Sequence, residues 1–369
     1  MAGFASVQAQ APEKCHALAF SSGDEGAAYQ AGAIHGIVNS GKVPATEYAY
    51  DSVSGISGGA INAVLLSSFQ KGDEAAAAEK MEAFWRDAAN SKLYKSWLGG
   101  ITRGLFFEGG LYNSAPLEDF LKKEFANVDI HRKLDIGIVD VTDGSYQDFS
   151  DQNVTQGENL VDAMYASMSF AGFFPPADVL GSSYFDGSAV WDIDIFSAIN
   201  RCTDLGFKNE DIIVDVVLTS SANLKNVSAE DYKSISMLFR YLEISSFYNS
   251  MDGLLRAKFA YDGVNFRYVI SPSANIPSSL YPLNLNEKQI TSAFDLGVKD
   301  ALAEIDKHET GKTTNLDALI HYHALKKSGD PSIHGHTFGS FAEAKENGEF
   351  GDYNIHEDPY MKKYTFLTK

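Results

Sequence analysis

Val53-Ser54-Gly55-Ile56-Ser57-Gly58-Gly59-Ala60-Ile61-Asn62-Ala63 is the stretch whose reading decides the fold. Tyr48 to Ser54 before it reads as a strand, and Ala60 to Phe69 within and after it is apolar on nearly every side, as a buried helix is. A serine on a tight strand-to-helix turn projects its hydroxyl clear of the sheet. Flanking glycines remove side chains that would clash in such a turn. The N–H of the next residue, Gly58, and the helix N-terminus then face any negative charge developing at the serine. A purely structural Gly-rich turn carries the same letters. The strand before Ser57 and the helix after it therefore carry the nucleophile reading.

Outward from this turn, His16 to Phe20 is a short apolar run ending in the polar Ser21-Ser22-Gly23-Asp24-Glu25-Gly26, a buried strand feeding a turn. Tyr29, Ala33, Ile34, Ile37 and Val38 then recur at helical spacing, stopping near Asn39-Ser40-Gly41. Ala75 to Ala89 is a more polar helix. Leu134 to Val141, Asp211 to Thr219 and Phe266 to Ile270 are further strands, and Glu287 to Ile305 is an amphipathic helix that closes the domain. Strands alternating with helices specify an α/β fold with a parallel or mixed sheet. This divides the chain into an N-terminal segment 1–15, a domain over 16–305 and a peripheral, partly irregular tail over 306–369, where histidine, glycine and charge become frequent.

The net charge of −19 excludes a nucleic-acid binder, which needs Lys and Arg against phosphates. It also opposes simple electrostatic docking on anionic membranes, leaving neutral or zwitterionic lipids or a basic partner. No stretch approaches the ~20 apolar residues of a membrane span. Ala9-Gln10-Ala11 before Pro12 looks like the end of a secretory signal, although the stretch ahead lacks a basic start and a full apolar core. With the sequons at Asn153 and Asn226, it tilts the expectation towards a secretory or lumenal location over a cytoplasmic one. Cys15 and Cys202 are too few for a disulfide framework. They read as buried free thiols, with a single bridge in an oxidising compartment as the alternative. His321-x-His323 and His334-x-His336 lack Cys or carboxylate partners at fixed spacing and read as surface histidines, so no metal is expected.

A serine nucleophile needs a base. The late histidines His308, His321 and His323 permit a Ser-Asp-His order, but Ser57 comes early for the fold that uses it. Tyr184-Phe185-Asp186-Gly187-Ser188 offers a second solution, an Asp beside a Gly that acts on the serine directly; alone, such a pair is a tight turn. Trp97-Leu98-Gly99-Gly100-Ile101 and Gly104-Leu105-Phe106-Phe107 read as core packing or as a lid or rim that touches lipid. Phe173-Phe174-Pro175-Pro176 reads as a rigid loop walling a groove.

Four segments, in this order, resemble the patatin-like phospholipase family. They are Ser21 to Gly26 with Ala28-Tyr29-Gln30-Ala31-Gly32 after it; Val53 to Ala63; Ala166-Ser167-Met168-Ser169-Phe170-Ala171-Gly172-Phe173-Phe174-Pro175-Pro176; and Phe185-Asp186-Gly187. Gly110-Leu111-Tyr112 with Pro116-Leu117 is a weaker echo. The resemblance implies a three-layer α/β/α fold around a central, mostly parallel sheet. It implies a Ser57–Asp186 dyad that cleaves fatty-acyl esters of phospholipids, lysophospholipids or neutral glycerolipids, without metal or cofactor. It also implies lipid as substrate and a transient membrane or micelle surface as partner.

In the family, a glycine-rich loop after the first strand supplies the oxyanion hole and carries a basic residue. Here an ungapped alignment sets Ser22, Gly23 and Asp24 on the glycines and Gly26 on the basic position. A gapped one sets Ser21, Ser22 and Gly23 on the glycines and Glu25 on the basic position. Either way the basic residue is missing. The expected hole is the N–H groups of Ser22, Gly23, Asp24 and Gly58. These departures leave a weakened or inactive lipid-binding or scaffold protein as a second reading, and the late histidines leave a Ser-His-Asp esterase as a third.

Overall fold

The structure, a computed structural model, describes residues 13–154, 157–220, 228, 233–276, 283, 284, 286–334, 344, 345 and 350. Six consecutive buried residues make β1 (Cys15–Phe20), whose side chains alternate between two cores. Leu18 and Phe20 face one core; Cys15, Ala17 and Ala19 face the other. The chain then runs through α1 (Ala27–Asn39), β2 (Ser52–Ile56), α2 (Gly58–Ser67), α3 (Glu74–Ala89), α4 (Gly100–Phe107) and α5 (Ala115–Phe125). β3 (Lys133–Asp140), β4 (Tyr146–Ser150), α6 (Gly157–Ser167), β5 (Ala177–Val179), β6 (Ser182–Asp186), α7 (Ile195–Asp204) and β7 (Ile212–Val217) follow. The described part closes with α8 (Ser234–Ala260), β8 (Asn265–Ile270), α9 (Glu287–Thr310) and α10 (Asn315–Ser328).

The eight strands form one sheet in the order β5-β6-β3-β2-β1-β7-β8, with β4 also on β3. β3, β2, β1, β7 and β8 run parallel, and β4, β5 and β6 add antiparallel pairings beside β3. Helices α1, α2, α3, α5, α6 and α9 bury their apolar faces on one side of the sheet, and α7, α8 and α10 on the other. This is the mostly parallel α/β/α architecture that the alternating elements specify.

Helices α1 and α9 approach at van der Waals distance because each sets a glycine against the backbone of the other. A Cβ on Gly32 would lie 2.0 Å from the Phe294 carbonyl oxygen, and one on Gly297 would lie 2.0 Å from that of Tyr29.

Three expectations need correction. Cys15 and Cys202 are joined by a disulfide that ties β1 to α7, with Cα atoms 5.8 Å apart, so they are not free thiols. The boundary at 306 falls inside α9, which continues to Thr310. Beyond it, α10 packs Leu316, Leu319, Ile320 and Tyr322 into the second core, so residues 315–328 are no peripheral tail. The sequence hid this because His321, Tyr322 and His323 interrupt the apolar run, yet all three side chains are buried. His321 and His323 are therefore not surface histidines. His323 meets Asp252 at 3.4 Å and His321 meets Lys345 at 3.1 Å. Ala9-Gln10-Ala11, His336 and residues 351–369 lie outside the described residues, as do Thr155 and Asn226 of the two sequons.

Candidate active site

Ser57 stands between β2 and α2 with φ 56° and ψ −127°, a conformation that costs a non-glycine residue about 1–3 kcal/mol. Glycines make the turn possible. A Cβ on Gly55 would lie 2.3 Å from the Gly59 carbonyl oxygen, and one on Gly59 would lie 2.3 Å from that of Ser21. The Ser57 N–H donates to Ser167 Oγ at 2.8 Å, and that hydroxyl donates to the Gly137 carbonyl at 2.8 Å. The turn is thus tied to β3 through the end of α6.

The sheet register brings Asp186 to the same point. β2 ends with Ile56 opposite Gly137 of β3. Ile138 faces both Gln147 of β4 and Asp186 of β6, so β4 and β6 lie on opposite flanks of β3. β6 therefore continues the flank on which β2 stops, and Asp186 sits one β3 residue beyond the partner of Ile56. Gly187 makes this approach possible, since a Cβ there would meet the Gly137 carbonyl at 2.6 Å. Ser57 and Asp186 are each 2% exposed. Burial pushes the Asp186 carboxyl up to about 6; hydrogen bonds from Ser188 and the Ser57 hydroxyl oppose the shift, and the nearby Asp192 carboxylate adds to it. The Ser188 N–H donates to Asp186 Oδ1 at 2.8 Å.

The loop after β1 lies against the elbow. Gln30 Nε2 donates to the Ser21 carbonyl at 2.7 Å, Asn62 Nδ2 to Gln30 Oε1 at 2.9 Å, and Trp85 Nε1 to Asn62 Oδ1 at 2.8 Å. This buried chain fixes the loop to α1, α2 and α3. A Cβ on Gly58 would lie 2.7 Å from the Asp24 carbonyl oxygen and 3.2 Å from the Asp24 nitrogen, so Gly58 and Asp24 are direct neighbours. Asp24 takes a left-handed φ of 42°, a conformation glycine adopts more easily. Gly23 is pressed against Thr219, whose side chain would meet a Cβ at 2.6 Å.

The Ser22 N–H, one of the four expected donors, is already engaged by the Asp192 carbonyl at 2.7 Å. Gly58 stands in the first turn of α2, where an N–H has no carbonyl four residues back within the helix.

Asp192 is a site residue that sequence reasoning missed. Its buried carboxylate accepts hydroxyls from Ser22 (2.6 Å), Ser246 (2.6 Å) and Ser250, joining the loop to α8. Burial raises its pKa, and the three hydroxyls oppose the rise. An acidic residue within the apolar run Trp191-Asp192-Ile193 was the available signal. Met168 was missed in the same way: its sulfur is 4.0 Å from Ser57 Oγ, and it lines a small apolar cavity with Ile61, Phe84, Trp85 and Leu117.

The late histidines are held elsewhere. His308 meets the Arg267 carbonyl near the start of β8, whereas Ser57 follows the C-terminal end of parallel β2. His323 stands between Asp252 and the Tyr248 ring on α8. Among the described residues, no three His, Cys, Asp or Glu side chains are grouped to hold a metal ion.

Residues 18–199 match the family model for patatin-like phospholipase. Among solved structures, VipD from Legionella pneumophila is similar with a TM-score of 0.40 and 13% sequence identity, over 97% of this chain and 83% of that chain. No curated protein matches.

Proposed function

The chain belongs to the patatin-like phospholipase family through residues 18–199, and from that premise we propose that it is a serine lipid acyl hydrolase acting through Ser57 and Asp186. The observation that carries this reading is the shared register on β3, where the residue after Ile56 and the residue opposite Ile138 converge. Ser57 Oγ attacks the ester carbonyl carbon while its proton passes to the Asp186 carboxylate. The tetrahedral intermediate collapses, the alcohol leaves with that proton, and an acyl group remains on Ser57. Asp186 then takes a proton from water, the hydroxide attacks the acyl carbon, and the fatty acid leaves as Ser57 regains its proton.

A base near pKa 6 is largely ionised at neutral pH yet binds a proton better than an ordinary carboxylate, which suits this double role. The oxyanion is held by Gly58 N–H and the Gly23–Asp24 turn, with the positive end of α2 behind it. Met168, whose sulfur is 4.0 Å from Ser57 Oγ, lies beside the acyl group carried by Ser57. The substrates are phospholipid, lysophospholipid or neutral glycerolipid esters, and the reaction uses no metal or cofactor. The Cys15–Cys202 disulfide favours an oxidising, secretory or lumenal compartment.

A fluorophosphonate probe labels the wild type and not Ser57→Ala, and a panel of lipid esters is hydrolysed only by the wild type. A wild type that neither takes the label nor hydrolyses any ester overturns the proposal. That outcome favours a lipid-binding scaffold, a reading supported by the buried Asp192 carboxylate and the missing basic residue at the loop.

A further inference from the structure

Helix α4 and the turn before it form an exposed apolar face. Leu98 is 91% exposed, Ile101 51%, Leu105 61%, Phe106 70% and Phe107 80%. Gly104 alone of α4 is buried. Core packing, the simpler of the two sequence readings for this segment, does not hold. Five large apolar side chains within ten residues exceed the scattered exposure ordinary on a soluble surface.

Two further observations say what covers this face. The first is charge. From Ser91 to Phe107 the chain carries Lys92, Lys95 and Arg103 and no Asp or Glu, within a protein of net charge −19. Lys92 and Lys95 are exposed, and Arg103 is paired with Glu108 at 2.6 Å. Apolar side chains flanked by exposed cations match a lipid surface, where acyl chains lie beneath phosphates. A symmetric contact between two copies would instead bring two such sets of cations into one interface with no acidic residue of 91–107 to pair them.

The second is continuity with the candidate site. A Cβ on Gly104 would lie 2.4 Å from the Leu111 carbonyl oxygen, so α4 rests directly on that segment. The Leu111 and Tyr112 N–H groups donate to the carbonyls of Gly172 and Phe173 at 3.0 and 2.9 Å. The same loop starts at Met168, beside Ser57. The apolar helix and the serine thus share one wall.

We propose that residues 97–107 are the surface through which this protein lies on zwitterionic, phosphate-bearing lipid. Phe106, Phe107, Leu105 and Leu98 enter the acyl region, and Lys92 and Lys95 stay at the phosphates. The purpose of this contact rests on the lipid acyl hydrolase reading; the contact itself is tested without turnover. Full-length Ser57→Ala protein is mixed with phosphatidylcholine vesicles and sedimented, with and without the added pair Phe106→Ser and Phe107→Ser. The parent co-sediments, and the added pair lowers its partition by about tenfold or more.

In the wild-type background the same pair leaves hydrolysis of a water-soluble short-chain ester unchanged and slows hydrolysis of vesicle lipid. Equal sedimentation with and without the pair, or a parent that stays in the supernatant, overturns the proposal. So does a parent dimer in light scattering that the pair dissolves while neither protein binds vesicles. If no ester is hydrolysed but the pair abolishes sedimentation, the lipid surface stands and only the enzymatic reading falls.

Discussion

In the proposed reaction, the chemistry at Ser57 and Asp186 turns on a few atoms whose environment sets their charge. Asp186→Asn keeps the shape and removes the base, so turnover falls by about 10²–10⁴-fold. Its effect on stability has the opposite sign. The folded-state pKa of about 6 exceeds the ordinary 3.8, so the folded protein holds a proton that the unfolded chain has lost between those values. Stability from this group therefore falls as pH rises through that window, and the Asn variant melts no lower than wild type at pH 7.5, as calorimetry will show. If Asp186 is the base, as proposed, it must be ionised, and kcat/KM is expected to rise with pH through about 6. Asp192 helps raise that value, and Asp192→Asn moves the acid limb of the kcat/KM profile to lower pH. An unmoved limb would refute an electrostatic link between the two carboxylates.

Between elements, close approach and cross-linking decide more than composition. Gly297→Ala forces a methyl into the Tyr29 carbonyl, and overpacking at such a crossing costs about 1–3 kcal/mol, read as a lower midpoint in urea. Cys15→Ala with Cys202→Ala removes a bridge spanning 187 residues, a change typically worth about 2–5 kcal/mol. The double variant accordingly melts roughly 3–6 °C below wild type under non-reducing conditions. α1, α2, α3 and α9 were legible because their apolar residues recur at helical spacing or saturate the segment. α8 was not, since Ser234 to Ala260 mixes Ser, Tyr, Asn and charge on every face and its Ser246 and Ser250 serve a buried carboxylate. β4, β5 and β6 were not read as strands because they are short antiparallel additions whose exposed residues break the apolar run.

For the molecule as a whole, burial of acids sets the response to pH. Burial raises Asp135 and Asp148 to about 8 and Glu304 to about 7; Arg201 opposes the shift at Asp135, and the Asp194 carboxylate adds to it at Asp148. With Asp186, each makes the folded state the better proton binder above the ordinary carboxylate range, so each loses stabilising effect as pH rises towards its folded value. His16, lowered by burial, pulls the other way as pH falls below 6.5. The four acids outweigh it, and the net charge of −19 adds repulsion that acid relieves. The melting temperature is therefore higher at pH 5.5 than at pH 8.5 by roughly 5 °C or more. A flat profile would show that these carboxylates ionise normally. Among the described residues, no helix is long and apolar enough to cross a membrane.

The sequence by itself determined the strand–Ser57–helix turn, the alternating α/β order and Asp186 as the second candidate residue. These rest on local spacing and on the backbone freedom of glycine, which neighbouring letters reveal. Only the tertiary structure decided that Ile56 and Asp186 meet on one flank of β3, that Asp192 engages the Ser22 N–H, that Cys15 reaches Cys202 and that α4 keeps its apolar face exposed. Each of these pairs residues far apart in the chain, or depends on which face the fold leaves uncovered, and no local pattern records a long-range register or an unfilled surface.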